Sequence, residues 1–362
     1  MYALMLYKKM QEDEESNEKE KANVKLKRNG KDAEVPIHPD EYNFVSLLKV
    51  CAKLKDIETG SKLHAHMAKL GFLSKNCFLG SALVDMYAKC GLIEKAHHVL
   101  ISLPVRDVVI WTALIGGYVQ HERCEEALLC FEKMRLEGIS PNSYTFTCSL
   151  KACASIGAMY VSKEIHAEIS RKGMLRNHVH LGSSLIAMYI KCGMLIKAQK
   201  VFDELVVRDL VTWTALLTGY AKEGHDEEAL KCFKQMQLEG ISPNSITFIY
   251  GLKACGNMRA IDKGQKIHAQ IEKLGLLEVY TCIGNFLLDM YAKCGLPYIV
   301  RLVFNRLPAR DETSWASLMS SYAEHGLYNQ AIECFDGIKR QGLFANEVSF
   351  VSVLKACCGL KA

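Results

Sequence analysis

The positions of the large apolar residues predict pairs of amphipathic helices along most of the chain. In residues 210–244, one helix face is marked by apolar residues at the spacing i, i+3, i+4, i+7: Trp213, Leu216, Leu217 and Tyr220. This helix is expected to stop near Gly224. A second helix follows, with Asp226 expected as its cap and with Gly240 and Pro243 ending it. Its apolar stripe consists of Ala229, Leu230, Phe233 and Met236.

The same pattern returns every 102 residues. The three tryptophans of the chain, Trp111, Trp213 and Trp315, are 102 positions apart. The segments MYAKCG, MYIKCG and MYAKCG begin at Met86, Met188 and Met290. Internal similarity divides each period into blocks of 36, 31 and 35 residues, which gives nine complete blocks in three triplets: 41–142, 143–244 and 245–346.

A single helix pair leaves its apolar stripe half exposed, so the pairs are expected to stack on one another. The predicted fold is all-α: a right-handed α-solenoid whose concave side is lined by the first helix of each pair. Residues 1–40 are expected to hold part of a standard block, interrupted by a disordered, charged insertion at 11–34. Residues 347–362 are expected to begin another 36-residue block that breaks off after one helix. Both ends therefore have the pattern of truncated repeats.

Composition excludes several classes of protein. With 49% hydrophobic and 23% charged residues, the chain can bury a large core. No membrane span is recognisable, since the longest apolar stretch covers only residues 108–119. No signal or transit peptide is recognisable either, because the opening MYALMLYKKM is followed directly by the acidic QEDEE. The 15 cysteines are spread through helical patterns, and we interpret them as buried, reduced thiols. A net charge of +5 permits a polyanionic partner without requiring one.

The local sequences resemble those of pentatricopeptide repeat proteins. Residues 211–244, VTWTALLTGYAKEGHDEEALKCFKQMQLEGISPN, resemble the standard 35-residue motif of that family. The 36-residue and 31-residue blocks resemble its long and short variants, and the short blocks end in VRD or ARD. Triplets of long, short and standard motifs are typical of the PLS subclass of land-plant organelle proteins. The resemblance covers residues 41–362.

The resemblance implies sequence-specific binding of single-stranded RNA, with one base read per repeat by two or three side chains. In the family, the reading residues are the fifth and the last of each repeat. The short blocks carry the pairs Ser81 and Asp107, Ser183 and Asp209, and Asn285 and Asp311. The standard blocks carry Thr112 and Asn142, Thr214 and Asn244, and Ala316 and Asn346. The long blocks carry Val45 and Asn76, Thr147 and His178, and Ile249 and Tyr280, which do not follow the family's code.

By that code, Ser or Thr with Asp favours G, Thr with Asn favours A, and Asn with Asp favours U. With the N-terminus toward the 5′ end of the RNA, the implied footprint is 5′-nGAnGAnUn-3′. Its 3′ part departs from the family pattern at Ala316, at Ala345, and at Cys282 and Thr313, which occupy the second position of their repeats. An alternative is that the hydroxyl residues only start helices and the Asp and Asn residues only form turns.

Five lysines recur near the end of the first helices: Lys53, Lys89, Lys191, Lys222 and Lys293. Two explanations are open, because a lysine at this place can contact an RNA phosphate or complement the helix dipole.

We also consider His166 and Glu168, which have the HxE spacing of a zinc deaminase. The PCxxC that would complete a metal site is absent, and His64 and His268 occupy the same repeat position. We therefore assign this histidine to helix packing.

These observations predict a non-enzymatic RNA-binding protein that has no metal or other cofactor and no membrane partner. Its oligomeric state is left open. The subclass implies that the chain is the recognition part of a chloroplast or mitochondrial C-to-U editing factor, with a deaminase supplied by further sequence or by a partner protein. Transcript protection or splicing is the alternative within RNA biology. A protein-binding scaffold of the tetratricopeptide type is the alternative from another class.

Overall fold

A computed structural model describes residues 41–74 and 77–361. These residues form 20 α-helices and two short 3₁₀ turns without any β-strand, which confirms the all-α prediction. The expected partial repeat and charged insertion in residues 1–40 lie outside the described residues, as does Asn76. No helix in the described part of the chain is both long and apolar enough to cross a membrane.

The chain forms two compact units, divided between Lys172 and Gly173. The first unit contains a 3₁₀ turn at Phe72–Ser74 and eight α-helices: α1 (Glu41–Leu54), α2 (Ile57–Lys69), α3 (Cys77–Lys89), α4 (Ile93–Ser102), α5 (Val108–Gln120), α6 (Cys124–Leu136), α7 (Ser143–Ile156) and α8 (Met159–Arg171).

The second unit begins with a 3₁₀ turn at Met174–Arg176. Its α-helices are α9 (Val179–Lys191), α10 (Leu195–Glu204), α11 (Leu210–Lys222), α12 (Asp226–Leu238), α13 (Ser245–Asn257), α14 (Ile261–Lys273), α15 (Leu276–Val279), α16 (Thr281–Lys293), α17 (Pro297–Arg306), α18 (Glu312–Glu324), α19 (Tyr328–Arg340) and α20 (Glu347–Gly359).

Within each unit the helices form two layers. The first helix of one pair packs against the first helix of the next pair, and we call this layer the first-helix row. It contains α1, α3, α5 and α7 in the first unit, and α9, α11, α13, α16, α18 and α20 in the second. The other long helices form the second-helix layer. Each contacts its own first helix and, where the following pair belongs to the same unit, the first helix of that pair, as α6 contacts α5 and α7. This is the stacking that the sequence repeat predicts.

The core lies between the two layers and repeats with the sequence. Burying these side chains is the main source of stability, because an isolated helix pair cannot cover its apolar stripe. Residues that are 102 positions apart and fully buried include Phe44, Phe146 and Phe248; Leu83, Leu185 and Leu287; and Leu114, Leu216 and Leu318.

The helices end near the glycines, as predicted, but the predicted cap of α12 is wrong. Gly224 and Gly240 have φ values of +79° and +78° and follow the ends of α11 and α12, as expected. Asp226, however, does not cap α12; the cap residue is His225, which makes no side-chain cap hydrogen bond. Asp226 is the first residue of the helix, where its negative charge still complements the helix dipole, and its carboxylate accepts hydrogen bonds from Asn257 Nδ2.

The cysteines are less uniformly buried than predicted. All 15 are free thiols, and seven of them are buried. The prediction is wrong for Cys282, Cys357 and Cys358, which are exposed because the positions they occupy on α16 and α20 face away from the core. Burial raises the pKa of Cys232 and of Cys255 to about 12, which keeps these thiols protonated and unreactive at neutral pH.

Candidate nucleic-acid interface

The predicted base-reading residues lie where the first helices begin. The fifth residue of each block is about one turn into its helix, and the last residue directly precedes the next first helix. Most of these side chains are half-buried, which leaves part of each accessible to a ligand. Ala316 differs, because it is only 3% exposed and has no polar atom in its side chain.

The hydroxyl residues at the fifth position hydrogen-bond to their own helix. Ser81 and Ser183 donate to carbonyl oxygens three residues earlier, at 2.9 and 3.0 Å. Thr112 and Thr214 donate to carbonyl oxygens four residues earlier, both at 2.6 Å. Each hydroxyl proton is thereby engaged, so the oxygen lone pairs are what these side chains offer to a ligand. Thr112 Oγ1 also lies 2.6 Å from Thr145 Oγ1 in the adjacent first helix.

The aspartates at the last position of the short blocks cap the next helix. Asp107 Oδ1 accepts from the backbone N–H of Val109 and Ile110, at 3.0 and 2.9 Å. Asp209 Oδ1 accepts from the N–H of Thr212 at 2.9 Å, and Asp311 Oδ1 accepts from that of Ser314 at 2.8 Å. One carboxylate oxygen is used in each cap, and the second is an additional acceptor.

The asparagines at the last position of the standard blocks cap in the same way. Asn142, Asn244 and Asn346 each accept a backbone N–H through Oδ1 at 2.9 Å. This bond fixes the orientation of the amide, so that the Nδ2 donor group is turned away from the helix. The cap therefore leaves different atoms unused in the two block types: a carboxylate oxygen acceptor of Asp in the short blocks and an amide N–H donor of Asn in the standard blocks.

In the third short block, the structure joins both members of a predicted pair. Asn285 Nδ2 donates to Asp311 Oδ1 and Oδ2, at 3.2 and 3.0 Å. Burial raises the pKa of Asp311, but the hydrogen bonds from Ser314 and Asn285 outweigh it and bring the pKa below its ordinary value. Asp311 is therefore a carboxylate acceptor at neutral pH.

Apolar side chains at the second position are exposed beside these polar residues. Tyr42, Phe78 and Tyr144 are 83%, 70% and 67% exposed, and the smaller Val109, Val211 and Ile246 are also exposed. In the third triplet this position holds Cys282 and Thr313, which are exposed too. Flat or branched side chains in this place can pack against the faces of bases, whereas Thr313 offers little apolar surface.

The five recurrent lysines are exposed at the C-terminal end of the first helices, eight residues after the fifth position. At a rise of about 1.5 Å per residue, this places them roughly 12 Å along the helix from the reading residue. Lys89 pairs with Asp85 at 2.7 Å, and Lys293 pairs with Asp289 at 2.8 Å. Lys53, Lys191 and Lys222 form no ion pair with any residue that the structure describes.

An arginine directly before the terminal Asp of each short block, which the sequence pattern did not single out, fixes the backbone next to the reading residue. Arg106, Arg208 and Arg310 precede the three terminal aspartates, and their Nε atoms donate to carbonyls of the preceding helix, at 3.1, 3.3 and 3.0 Å. Arg106 also pairs with Glu137 at 2.6 Å, and Arg208 with Glu239 at 3.4 Å. In each Arg-Asp dipeptide, the arginine therefore binds the end of one helix and the aspartate caps the start of the next. The recurrence of this dipeptide at 102-residue intervals is the sequence signal that could have indicated the role of the arginine.

The histidine position that includes His166 is occupied by packing groups. Its equivalents His64 and His268 hydrogen-bond through Nδ1 to the hydroxyls of Tyr87 and Tyr291, at 3.0 and 2.9 Å. Burial lowers the pKa of both histidines, so they are neutral at physiological pH. These bonds tie a second helix to the next first helix at two of the three copies of this position.

Comparisons with known families identify the repeats. A model described as "PPR repeat family" matches residues 106–155 and 208–257. A model described as "PPR repeat" matches residues 81–108, 183–210 and 313–343. The two models therefore match segments in all three triplets.

Curated relatives extend the similarity over most of the chain. A mitochondrial pentatricopeptide repeat-containing protein of Arabidopsis thaliana is 37% identical over 90% of this chain and 51% of its own length. A chloroplastic one from the same plant is 34% identical over 88% of this chain and 51% of its own length. The chain thus spans about half the length of these relatives.

The fold also matches a solved structure, that of the pentatricopeptide repeat protein PPR10 in complex with an 18-nucleotide psaJ RNA element. The TM-score is 0.70, with 19% identity, over 90% of this chain and 48% of that chain. This similarity confirms the solenoid fold.

Proposed function

This chain belongs to the pentatricopeptide repeat family, and from that membership and its capped Asp and Asn residues we propose that it binds single-stranded RNA sequence-specifically, one base per repeat. The observation that carries the proposal is the separation of acceptor and donor between the two block types. In the first two short blocks one carboxylate oxygen of the terminal Asp lies outside the cap, whereas in the third Asn285 donates to that oxygen of Asp311. Each standard block presents an amide N–H. A structural cap alone requires no such separation, because Asp and Asn cap helices equally well.

The chemistry of the bases matches this separation. The Watson–Crick edge of guanine carries N–H donors, which a carboxylate oxygen can accept. The corresponding edge of adenine has a ring-nitrogen acceptor, which suits an asparagine amide donor. The N3–H of uracil is likewise a donor, from which an Asp311 carboxylate oxygen can accept a hydrogen bond. This match between side-chain and base chemistry supports the proposed code.

The proposed footprint is 5′-nGAnGAnUn-3′, with the N-terminus toward the 5′ end. Ser81 and Asp107, and Ser183 and Asp209, read the two G positions. The A positions are read by Thr112 and Asn142 and by Thr214 and Asn244, and the U position by Asn285 and Asp311. The ninth position is unread, because Asn346 is paired with the buried Ala316.

We further propose that the chain is the recognition part of an organelle RNA-processing factor of the PLS subclass, without a catalytic site of its own. In C-to-U editing, the solenoid would position a cytidine just 3′ of the footprint for a deaminase domain supplied elsewhere. The long, short and standard order of the blocks supports this assignment, as do relatives whose names place them in mitochondria or chloroplasts.

The direct test is a binding titration of the purified chain with an RNA that carries the footprint. A scrambled RNA of the same composition and the DNA equivalent are the controls. We expect a preference of about tenfold or more for the matched RNA, since each well-formed base contact contributes roughly 1–3 kcal/mol. Equal, weak binding to all three would contradict the proposal and favour a protein-binding scaffold.

A further inference from the structure

We propose that a groove between α12 and α14 in the second-helix layer is a docking site for an acidic helical segment of a partner protein. The groove encloses about 450 Å³. Its floor includes the buried side chains of Phe233 and Ile267, and a hydrogen bond of 2.8 Å from Gln237 to Gln270 crosses it. Four lysines line its walls, and we call it the lysine groove: Lys231, Lys234, Lys263 and Lys266.

The lysines are arranged as two facing pairs. Lys231 and Lys234 are one turn apart on α12, and Lys263 and Lys266 are one turn apart on α14. All four are exposed, and no carboxylate lies among the described residues that line the groove. Lys231 pairs with Glu227 at 2.9 Å on its own helix, whereas the other three form no ion pair within residues 173–361. Glu227 also interacts electrostatically with Lys263, and Glu228 with Lys231. The positive charge of the groove is therefore partly compensated at these two lysines and is concentrated at Lys234 and Lys266.

Other copies of the repeat show that the solenoid does not need these lysines. In the first triplet, the positions 102 residues earlier hold Leu129, Glu132, Val161 and Glu164. On α19 of the third triplet, the positions equivalent to Lys231 and Lys234 hold Glu333 and Asp336. The same helix packing thus exists with neutral or acidic walls, so the positive charge is a property of this groove alone among the compared copies.

The geometry favours an acidic helix over RNA. The lysine groove is on the second helices, whereas the reading residues Thr214 and Asn244 lie on α11 and at the start of α13. About one helix diameter, roughly 10 Å, therefore separates the two faces. None of the described residues that line the groove is an exposed aromatic, so these residues offer bases no stacking surface. Carboxylates at i and i+3 or i+4 of a bound helix would match the one-turn spacing of the lysines on both walls.

The test uses the whole chain and a fluorescent, helix-forming 18-residue peptide of Ala, Leu and Glu, with a Glu at every third or fourth position. A peptide in which Gln replaces each Glu is the control. Anisotropy titrations are expected to show binding of the Glu peptide that weakens with salt, and binding of the Gln peptide weaker by on the order of tenfold.

Two matched variants locate the site. Lys234→Glu with Lys266→Glu reverses one lysine on each wall and is expected to weaken peptide binding on the order of tenfold. Lys133→Glu with Lys163→Glu makes the same charge change on the exposed surfaces of α6 and α8 and should leave it nearly unchanged. The fourfold variant Lys231→Leu, Lys234→Glu, Lys263→Val, Lys266→Glu installs the residues of the first triplet, which already pack in this fold, and should also lose binding.

Three results would overturn the proposal. Equal weakening by the two double variants would mean that only net charge matters, and tight binding of the Gln peptide would mean that the contact is apolar. Loss of affinity for the footprint RNA in the groove variant, with no peptide binding by the unmodified chain, would make the groove an RNA surface. The proposal does not rest on RNA recognition, so failure of the footprint titration would leave the peptide result interpretable.

Discussion

At the last residue of five of the six short and standard blocks, one side-chain atom caps a helix and another lies outside the cap; at Asp311, Asn285 donates to that second atom. Asn244 Oδ1 caps α13, while its amide nitrogen remains available. This division can be tested by a substitution that keeps the cap and changes only the free atom.

Replacing Asn244 by Asp is that substitution, because both residues are good caps. We expect Asn244→Asp to shift the preference at the sixth nucleotide from A toward G by about 1–3 kcal/mol, with little change in thermal stability. Titrations with RNAs that differ only at that nucleotide measure the shift. Adding Asn142→Asp should move the third nucleotide in the same direction, and unchanged preferences in the double variant would show that the register is wrong.

A strained residue gives a second prediction at this scale. Glu122 has a φ of +60°, at a helix end where the equivalent residues Gly224 and Gly326 have φ values of +79° and +73°. A side chain in this left-handed conformation costs about 1–2 kcal/mol. Glu122→Gly is therefore expected to stabilise the chain by about 1 kcal/mol, measured as a higher unfolding midpoint. Glu122→Ala keeps the strain, so a similar gain from that variant would contradict this explanation.

Among the elements, the distance between stacked first helices is set by small residues. Gly117 on α5 faces α3, where an added Cβ would lie 2.6 Å from Ala88 Cβ. The neighbouring Gly116 has more room, since a Cβ there would lie 3.5 Å from Cys148 Sγ. The two glycines are adjacent in sequence, but a rotation of about 100° per residue directs them to different surroundings.

These two glycines form a matched pair of substitutions. Gly117→Ala is expected to destabilise the chain by about 1–3 kcal/mol, because it forces α3 and α5 apart. Gly116→Ala should be neutral or stabilising by up to about 1 kcal/mol, because alanine favours the helix. Thermal unfolding followed by circular dichroism at 222 nm compares them. Equal effects of the two variants would show that close packing between α3 and α5 is not the cause.

The sequence was sufficient to predict the helices and the stacking, because both depend on apolar periodicity and on glycine punctuation. It was insufficient where two sequence signals were equivalent. Gly116 and Gly117 are the same residue type and differ only in their equivalents 102 positions later, Thr218 and Gly219. Asp226 is a residue type that often caps helices, although α12 begins at that residue rather than after it. The double role of Arg106 also depends on backbone carbonyls that no side-chain pattern specifies.

At the scale of the whole molecule, affinity for RNA should depend on the lysines that the repeats place at the ends of the first helices. If all five contact phosphates, the slope of log K against log salt is expected to be about −3.5. Replacing the three without ion pairs, Lys53, Lys191 and Lys222, by Gln should reduce it to about −1.4.

The control for this measurement is a variant with Lys133, Lys163 and Lys200 replaced by Gln. These lysines are exposed on second helices, so the slope should change little. A slope near zero in the unmodified chain would remove the five lysines from the interface and leave helix-dipole compensation as their role.

The shared use of the terminal Asp and Asn residues limits how recognition can change. Under the proposed function, a residue at this position both starts a helix and faces the RNA. A substitution that loses the cap would therefore also loosen the contact between neighbouring repeats. The residues that satisfy the helix are few, mainly Asp, Asn, Ser and Thr. New specificities in such a chain are therefore expected to arise through exchanges within this small set, or by adding and removing whole repeats, rather than by free variation at the reading position.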